Sequence, residues 1–336
     1  MKKLIFSLGI LVIAINAIAQ NDVRGPIANP APGVLDGVYI KEHIPTKKVI
    51  PYEFVREADV TWSKRVWRTI DLREKFNHPL YYPLDDIEEG MWRKNTTRWS
   101  LWTIIRYHVM TGDLTMYSPY NPDWQNWKDG DMFKYPIVPL TPGGTYLTDK
   151  EFRERAFLYL GVEVEDPFAE PLKSEQYPDE DSLAINPETG DLEAVYPPSD
   201  TAFYKSKDIV QYKIKEDWFF DKERSVLDVR IIGIAPVIYS RDNNGNITGT
   251  EELFWLYFPE CRYVFQNFFV QSRNNDSQRM SFDDLFWKRM FQSYIEKESN
   301  IYDREIDTYK AGVNALLESE KIKEKIFRFE HDLWSF

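Results

Sequence analysis

Residues 62–83, WSKRVWRTIDLREKFNHPLYYP, constrain the fold more than any other stretch, because they join a periodic apolar pattern to a strong turn signal. Read at about 100° per residue, Trp62, Val66, Ile70 and Phe76 fall on one face, with Trp67 and Leu72 at its edges. That pattern predicts a helix with a buried stripe. Lys64, Arg68 and Lys75 fall on the opposite side. With Arg65 and Arg73 set against Asp71 and Glu74, the stretch is net basic inside an acidic chain. Asn77-His78-Pro79 predicts a stop, since proline disfavours helical geometry in the residue before it and has no amide hydrogen. Lys64, Arg65, Arg68 and Lys75 are therefore the candidate partner-binding residues. They either dock an acidic surface, where charge complementarity sets register and association rate, or form a solvated or internally paired face.

The first 19 residues carry Lys2 and Lys3, an apolar run over 4–15, and Ala17-Ile18-Ala19 before Gln20. This is the three-part layout of a secretory signal peptide. The run is shorter than the roughly 20 residues a bilayer span needs, and position 20 is not a lipid-acceptor cysteine. The expected product starts at Gln20 and carries no lipid. Its net charge moves from −12 to −14 once Lys2 and Lys3 are gone, which argues against nonspecific nucleic-acid or anionic-lipid binding. Cys261 is the only cysteine, so no intrachain disulfide forms. Trp255, Phe258, Tyr263 and Phe265 around it predict a buried thiol.

Taken in order, residues 20–54 read as an extended proline-rich arm whose apolar positions suit the surface of a neighbouring subunit. Residues 55–161 read as a mainly helical half. The acidic cluster Asp85, Asp86, Glu88 and Glu89 suits the first turns of a helix over 84–95. Residues 97–111, apolar nearly all round, form a second helix that Gly112 ends. A long aromatic loop over 117–144 carries Trp124, Trp127 and Phe133. Thr148 and Glu151 form a capping box for a short helix ending at Gly161. Residues 162–200 hold twelve acidic residues and six prolines against Lys173 alone, and read as an exposed, flexible insertion.

Residues 201–336 speak the language of strands and then helices. Residues 209–214 alternate, 225–239 are β-branched, and Asp242-Asn243-Asn244-Gly245-Asn246 makes a hairpin turn. Ser281 starts a helix, and Ala315, Ile322, Ile326, Phe329 and Leu333 stripe a final one. The fold class is α+β: a helical N-terminal half, then an antiparallel sheet with flanking helices.

Reactive constellations are sparse. His43, His78, His108 and His331 lie far apart, without the His-x3-His or Cys-x2-Cys spacing that places two ligands on one metal. Residues 242–252 alternate Asp242, Asn244 and Asn246 as a calcium loop does, but Gly245 and Leu253 break that pattern. No nucleophile or phosphate-loop motif is present. Neither a cofactor nor a metal is expected. A carboxylate pair for sugar hydrolysis needs only to meet in space, so a secreted carbohydrate-active or carbohydrate-binding protein stands as the alternative class.

Three blocks give the chain a family likeness. The first is Trp62-x4-Trp67-Arg68 with Ile70-Asp71-Leu72-Arg73-Glu74-Lys75 and Asn77-His78-Pro79-Leu80-Tyr81-Tyr82-Pro83. The second is Arg98-Trp99-Ser100-Leu101 through Thr111-Gly112-Asp113-Leu114-Thr115-Met116-Tyr117. The third runs from Arg289-Met290-Phe291 through Lys297-Glu298-Ser299-Asn300-Ile301-Tyr302-Asp303-Arg304 to 316–326. Together they resemble the GldN/PorN family of the gliding-motility and type IX secretion machinery. The resemblance implies a non-enzymatic periplasmic subunit at the inner face of the outer membrane. It also implies a ring-like self-assembly with a GldK/PorK-like outer-membrane lipoprotein, and contact with a GldM/PorM-like inner-membrane protein.

Overall fold

The computed structural model describes residues 38, 48–88, 91–122, 128–164, 183–185, 192–194, 200–242, 245–272, 275 and 277–334. The leader, most of the arm, Trp124, Trp127 and much of the acidic insertion lie outside the described residues. Contacts divide the chain into two compact units, Glu154–Tyr204 and the remainder.

The larger unit is organised on one antiparallel sheet, and the stretch read above as a helix is a central strand of it. β1 (Val60–Asp71) is followed by a short hairpin, β2 (Asp86–Glu88) and β3 (Met91–Arg93). β4 (Met116–Tyr117) and β5 (Pro136–Ile137) pair further on. The smaller unit contributes β6 (Gly161–Val164), β7 (Leu183–Ile185), β8 (Leu192–Ala194) and β9 (Asp200–Phe203). Then come β10 (Ile209–Asp221), β11 (Val226–Arg241), β12 (Ile247–Glu252), β13 (Trp255–Tyr257), β14 (Phe269–Val270), β15 (Met280–Ser281) and β16 (Tyr294–Glu298). The main sheet runs β16-β1-β10-β11-β13-β4-β5, with β12 on the same edge of β11 as β13.

β1 is a strand because its alternation is satisfied on both sides. Val66, Arg68 and Ile70 lie opposite Glu216, Ile214 and Tyr212 of β10, and Arg65, Trp67 and Thr69 lie opposite Asp217, Lys215 and Lys213. Successive side chains of a strand point to opposite faces, so Trp62, Lys64, Val66, Arg68 and Ile70 share one face. The C-terminal helix Val313–Trp334 covers that face. Ile322 and Ile326 pack with Val66, Ile295 and Ile306, joined by Trp62, Trp218, Leu227 and Ala315. Phe329 stacks on Trp62 at 4.3 Å between ring centroids. The predicted stripe of this helix is therefore the packing stripe, except that Leu333 is exposed.

The helical N-terminal half is thus corrected: between Val60 and Asp71 long-range strand pairing replaces the local helix, and β2 and β3 replace the helix expected over 84–95. Pro79 does not stop a helix but sits in the first turn of a short one, His78–Tyr81, where its missing N–H costs nothing. The helix Leu101–Thr111 forms as expected. Ser100 accepts from the Thr103 amide at its start, and Gly112 closes it at φ 83°, a left-handed conformation that suits glycine. The predicted capping box at Thr148 shifts by one residue: Asp149 accepts from the Phe152 amide at 3.1 Å and heads the helix Lys150–Leu160. The hairpin over 242–246 joins β11 to β12, with the Asn246 amide donating to Asp242 Oδ1. Ser281 caps the helix Phe282–Trp287 in a reciprocal capping box. Cys261 is 1% exposed, and burial pushes its thiol well above the usual range.

In the smaller unit, β6 pairs with β9 and β7 pairs with β8, so the described parts of the acidic insertion are antiparallel ladders. Phe157 and Phe203 meet edge to face at 5.5 Å beside the first ladder.

Candidate interaction surface

The four cations singled out in the sequence are split by the strand. Arg68 points to the helix-covered face and is 8% exposed, with Nε 3.9 Å from Glu216 Oε2. Glu216 is fully buried and also pairs with Arg289 at 2.8 Å. Burial depresses the Arg68 guanidinium below its ordinary value, only partly offset by Glu216. Arg68 is therefore part of the core. Lys64 lies on the same face but nearer the rim, where Nζ donates to Ser299 O at 2.8 Å and pairs with Glu298 at 3.2 Å. Arg65, on the other face, makes a two-pronged contact with Asp217 at 2.6 and 2.7 Å. That hydrogen bonding raises its pKa. Lys75 stands apart and exposed on the single turn Lys75–Asn77. Lys64 and Arg65 are neighbours in the strand but their side chains leave by opposite faces, Lys64 to Ser299 and Glu298 and Arg65 to Asp217, and Arg68 and Lys75 lie apart from both.

The face of β1 and β10 that carries Arg65 is held by charges. Lys215 donates to Asp131 O at 2.7 Å and pairs with its carboxylate at 3.1 Å, while Trp67 Nε1 donates to the same carboxylate at 3.0 Å. Burial lowers the Lys215 ammonium pKa. Lys213 sits between Glu252 at 3.0 Å and Glu296 at 2.9 Å. Burial alone would depress Lys213, but the two carboxylates outweigh it and hold it protonated. Phe133 closes over this face against Gly233, where an added Cβ would come within 2.7 Å of the Phe133 ring. This charged ladder is internal, so its sequence signature of alternating Lys and Ile does not mark a solvent face.

The exposed surface beside Lys64 and Arg65 is the turn after β16. Ser299 N donates to Arg65 O at 2.9 Å, which fixes the turn against the strand. Asn300 then accepts from the amides of Tyr302 and Arg304 and donates to Arg304 O. The hydrogen-bonded turn presents Ile301, 98% exposed, and Tyr302, 72% exposed. A hydrogen-bonded turn that holds Ile301 and Tyr302 out in solvent, beside the Lys64 ammonium, suits contact with another surface. The C-terminal helix adds a second apolar stripe opposite its packing stripe, with Val313, Leu316, Leu317 and Phe327 all exposed. Sequence reading found the cations and missed Ile301 and Tyr302. The signal available was Asn300-Ile301-Tyr302-Asp303, apolar residues inside a turn sequence.

No group of three metal-ligating side chains converges among the described residues. His108, the most buried of the described histidines, has its Nδ1 2.8 Å from Asp113 Oδ2 and its ring against Phe268. Burial depresses its pKa, with Asp113 opposing. No described helix is long and apolar enough to cross a membrane.

These features define an α+β chain built on a mixed-polarity antiparallel sheet, with exposed apolar side chains on the turn that follows its edge strand β16. A family model described as gliding motility associated protein GldN matches residues 55–335, and the chain belongs to that family. Membership associates it with gliding motility and type IX secretion. No curated protein matches the chain.

Proposed function

We propose that this chain is a non-enzymatic structural subunit of the type IX secretion and gliding-motility machinery, working in the periplasm at the inner face of the outer membrane. It assembles with copies of itself and with a GldK/PorK-like outer-membrane lipoprotein into a ring-like particle, and it contacts a GldM/PorM-like inner-membrane protein. The observation that carries this reading is the apolar surface left exposed at Ile301, Tyr302 and the outer stripe of the C-terminal helix. Scattered single apolar residues need no explanation, but paired residues on a hydrogen-bonded turn beside a cation suit a protein interface.

The test is gentle extraction of the tagged protein from cell envelopes, followed by native sizing and identification of what co-purifies. The expected result is a particle of many copies containing a lipoprotein. Recovery as a free monomer under conditions that keep other envelope complexes intact would contradict it.

A further inference from the structure

His108 is a buried titratable group whose surroundings fit one protonation state and not the other. It lies in the last turn of the helix Leu101–Thr111 and is 5% exposed. Its Nδ1 is 2.8 Å from Asp113 Oδ2, which also accepts from the Thr111 hydroxyl at 2.8 Å. An ionised carboxylate can only accept, so Nδ1 carries the proton and Nε2 of the neutral ring is a bare lone pair. Nε2 is buried with no hydrogen-bond partner among the described residues. The ring meets Phe268 edge to face at 5.5 Å and Tyr107 at 5.2 Å. Phe268 is 2% exposed and also stacks on Trp99 at 5.4 Å. Its carbonyl accepts the Phe282 amide at 3.1 Å, and β14 follows directly.

We infer that His108 is an acid-released latch: the neutral ring holds the helix Leu101–Thr111 against Phe268, and protonation frees Phe268 together with the β14–β15 hairpin it leads into. Protonation turns Nε2 into a charged donor with nothing to accept it, one of the costlier arrangements in a protein interior. Asp113 opposes this, since it favours the charged ring, but its side chain is 56% exposed and solvent screens the attraction. Lys94, whose ammonium lies 4.5 Å from the Tyr107 ring centroid and 4.7 Å from that of Trp99, sets a like charge across the Tyr107 ring. Burial outweighs Asp113 and holds the native pKa below the ordinary histidine value. The stabilising contribution is therefore complete above the unfolded value, about 6.5, and is lost as pH falls through the depressed native value. The release is local, because the contact that fails bears on Phe268, β14, β15 and the helix that Ser281 caps. The latch goes beyond the assembly reading and does not depend on it.

The test is amide hydrogen exchange on the full chain at about pH 7.5 and about pH 5.5, corrected for the intrinsic pH dependence of exchange, with His108→Gln and Asp113→Asn beside the parent. In the parent, protection over 266–282 should fall at the lower pH, by up to about tenfold for each unit by which the native pKa is depressed, while 209–221 in β10 holds steady. His108→Gln should show the same protection at both values. Asp113→Asn should deepen the acid loss, because it removes the group that favours the charged ring; with its side chain half in solvent it keeps the test decisive even if His108→Gln does not fold. Equal protection at the two values in the parent, a fall that persists in His108→Gln, an acid loss unaltered by Asp113→Asn, or an equal fall over 209–221 would each overturn the latch.

Discussion

The two faces of the strand pair β1 and β10 are held by opposite means. One is apolar, with Val66, Ile295, Ile322 and Ile326 beneath the C-terminal helix, a buried ionic cluster of Glu216 with Arg68 and Arg289 set into it, and the Lys64–Glu298 pair at its rim. The other is a ladder of ion pairs, Arg65 with Asp217, Lys215 with Asp131, and Lys213 between Glu252 and Glu296. The difference teaches that a charge in this chain is not a sign of solvent or of a partner. Its meaning depends on the residue across the ladder.

The largest effect is expected where an ionic cluster is set into the apolar face. Glu216→Ala leaves Arg68 and Arg289 without their buried carboxylate and should cost about 3–5 kcal/mol in urea unfolding, as breaking one side of a buried pair does. Ile322→Ala, on the same face, removes packing alone and should cost about 2–5 kcal/mol, toward the lower end because the helix it comes from has one side in water. Lys64→Ala, at the rim, should change stability by no more than about 1 kcal/mol. If the Lys64 and Glu216 variants proved equally stable, the distinction between the buried cluster and the rim would fail.

Much of the fold was legible where the decisive interactions are local. Ser100 and Gly112 bracket their helix because capping and a left-handed closure depend on a few neighbouring residues. The hairpin at Asp242–Asn246 is readable for the same reason. β1 was not, because Trp62, Val66 and Ile70 satisfy both a spacing of four and a spacing of two, and only partners about 150 residues away decide between them. Arg68 masked the alternation, since its burial depends on Glu216 from another strand. Of the candidate site, the four cations were grouped by a helix that does not form: the strand sends Lys64 and Arg65 to opposite faces, buries Arg68 and leaves Lys75 on a separate turn.

A pH titration sharpens the same contrast with a smaller effect. Burial alone would raise the Asp71 carboxyl, but hydrogen bonds from the Arg73 side chain and amide outweigh it and hold the pKa below the ordinary aspartate value. Its stabilising contribution is therefore complete above the unfolded value, near 4 in model peptides, and is lost as pH falls through the depressed native value. Asp71→Asn should flatten the acid limb of the stability curve and leave the slope above pH 6 unchanged. An unaltered acid limb would show that the Asp71–Arg73 contact contributes nothing.

The most direct measurement of the central claim replaces Ile301 with Asp and Tyr302 with Ser in the full-length protein, leaving Lys64, Arg65 and the sheet untouched. Both side chains are in solvent, so the variant should unfold at the same urea concentration as the parent. Extracted from envelopes, it should lose the co-purifying lipoprotein or fall to smaller particles, and secretion should fail. Normal particles and normal secretion at parental abundance would contradict the account.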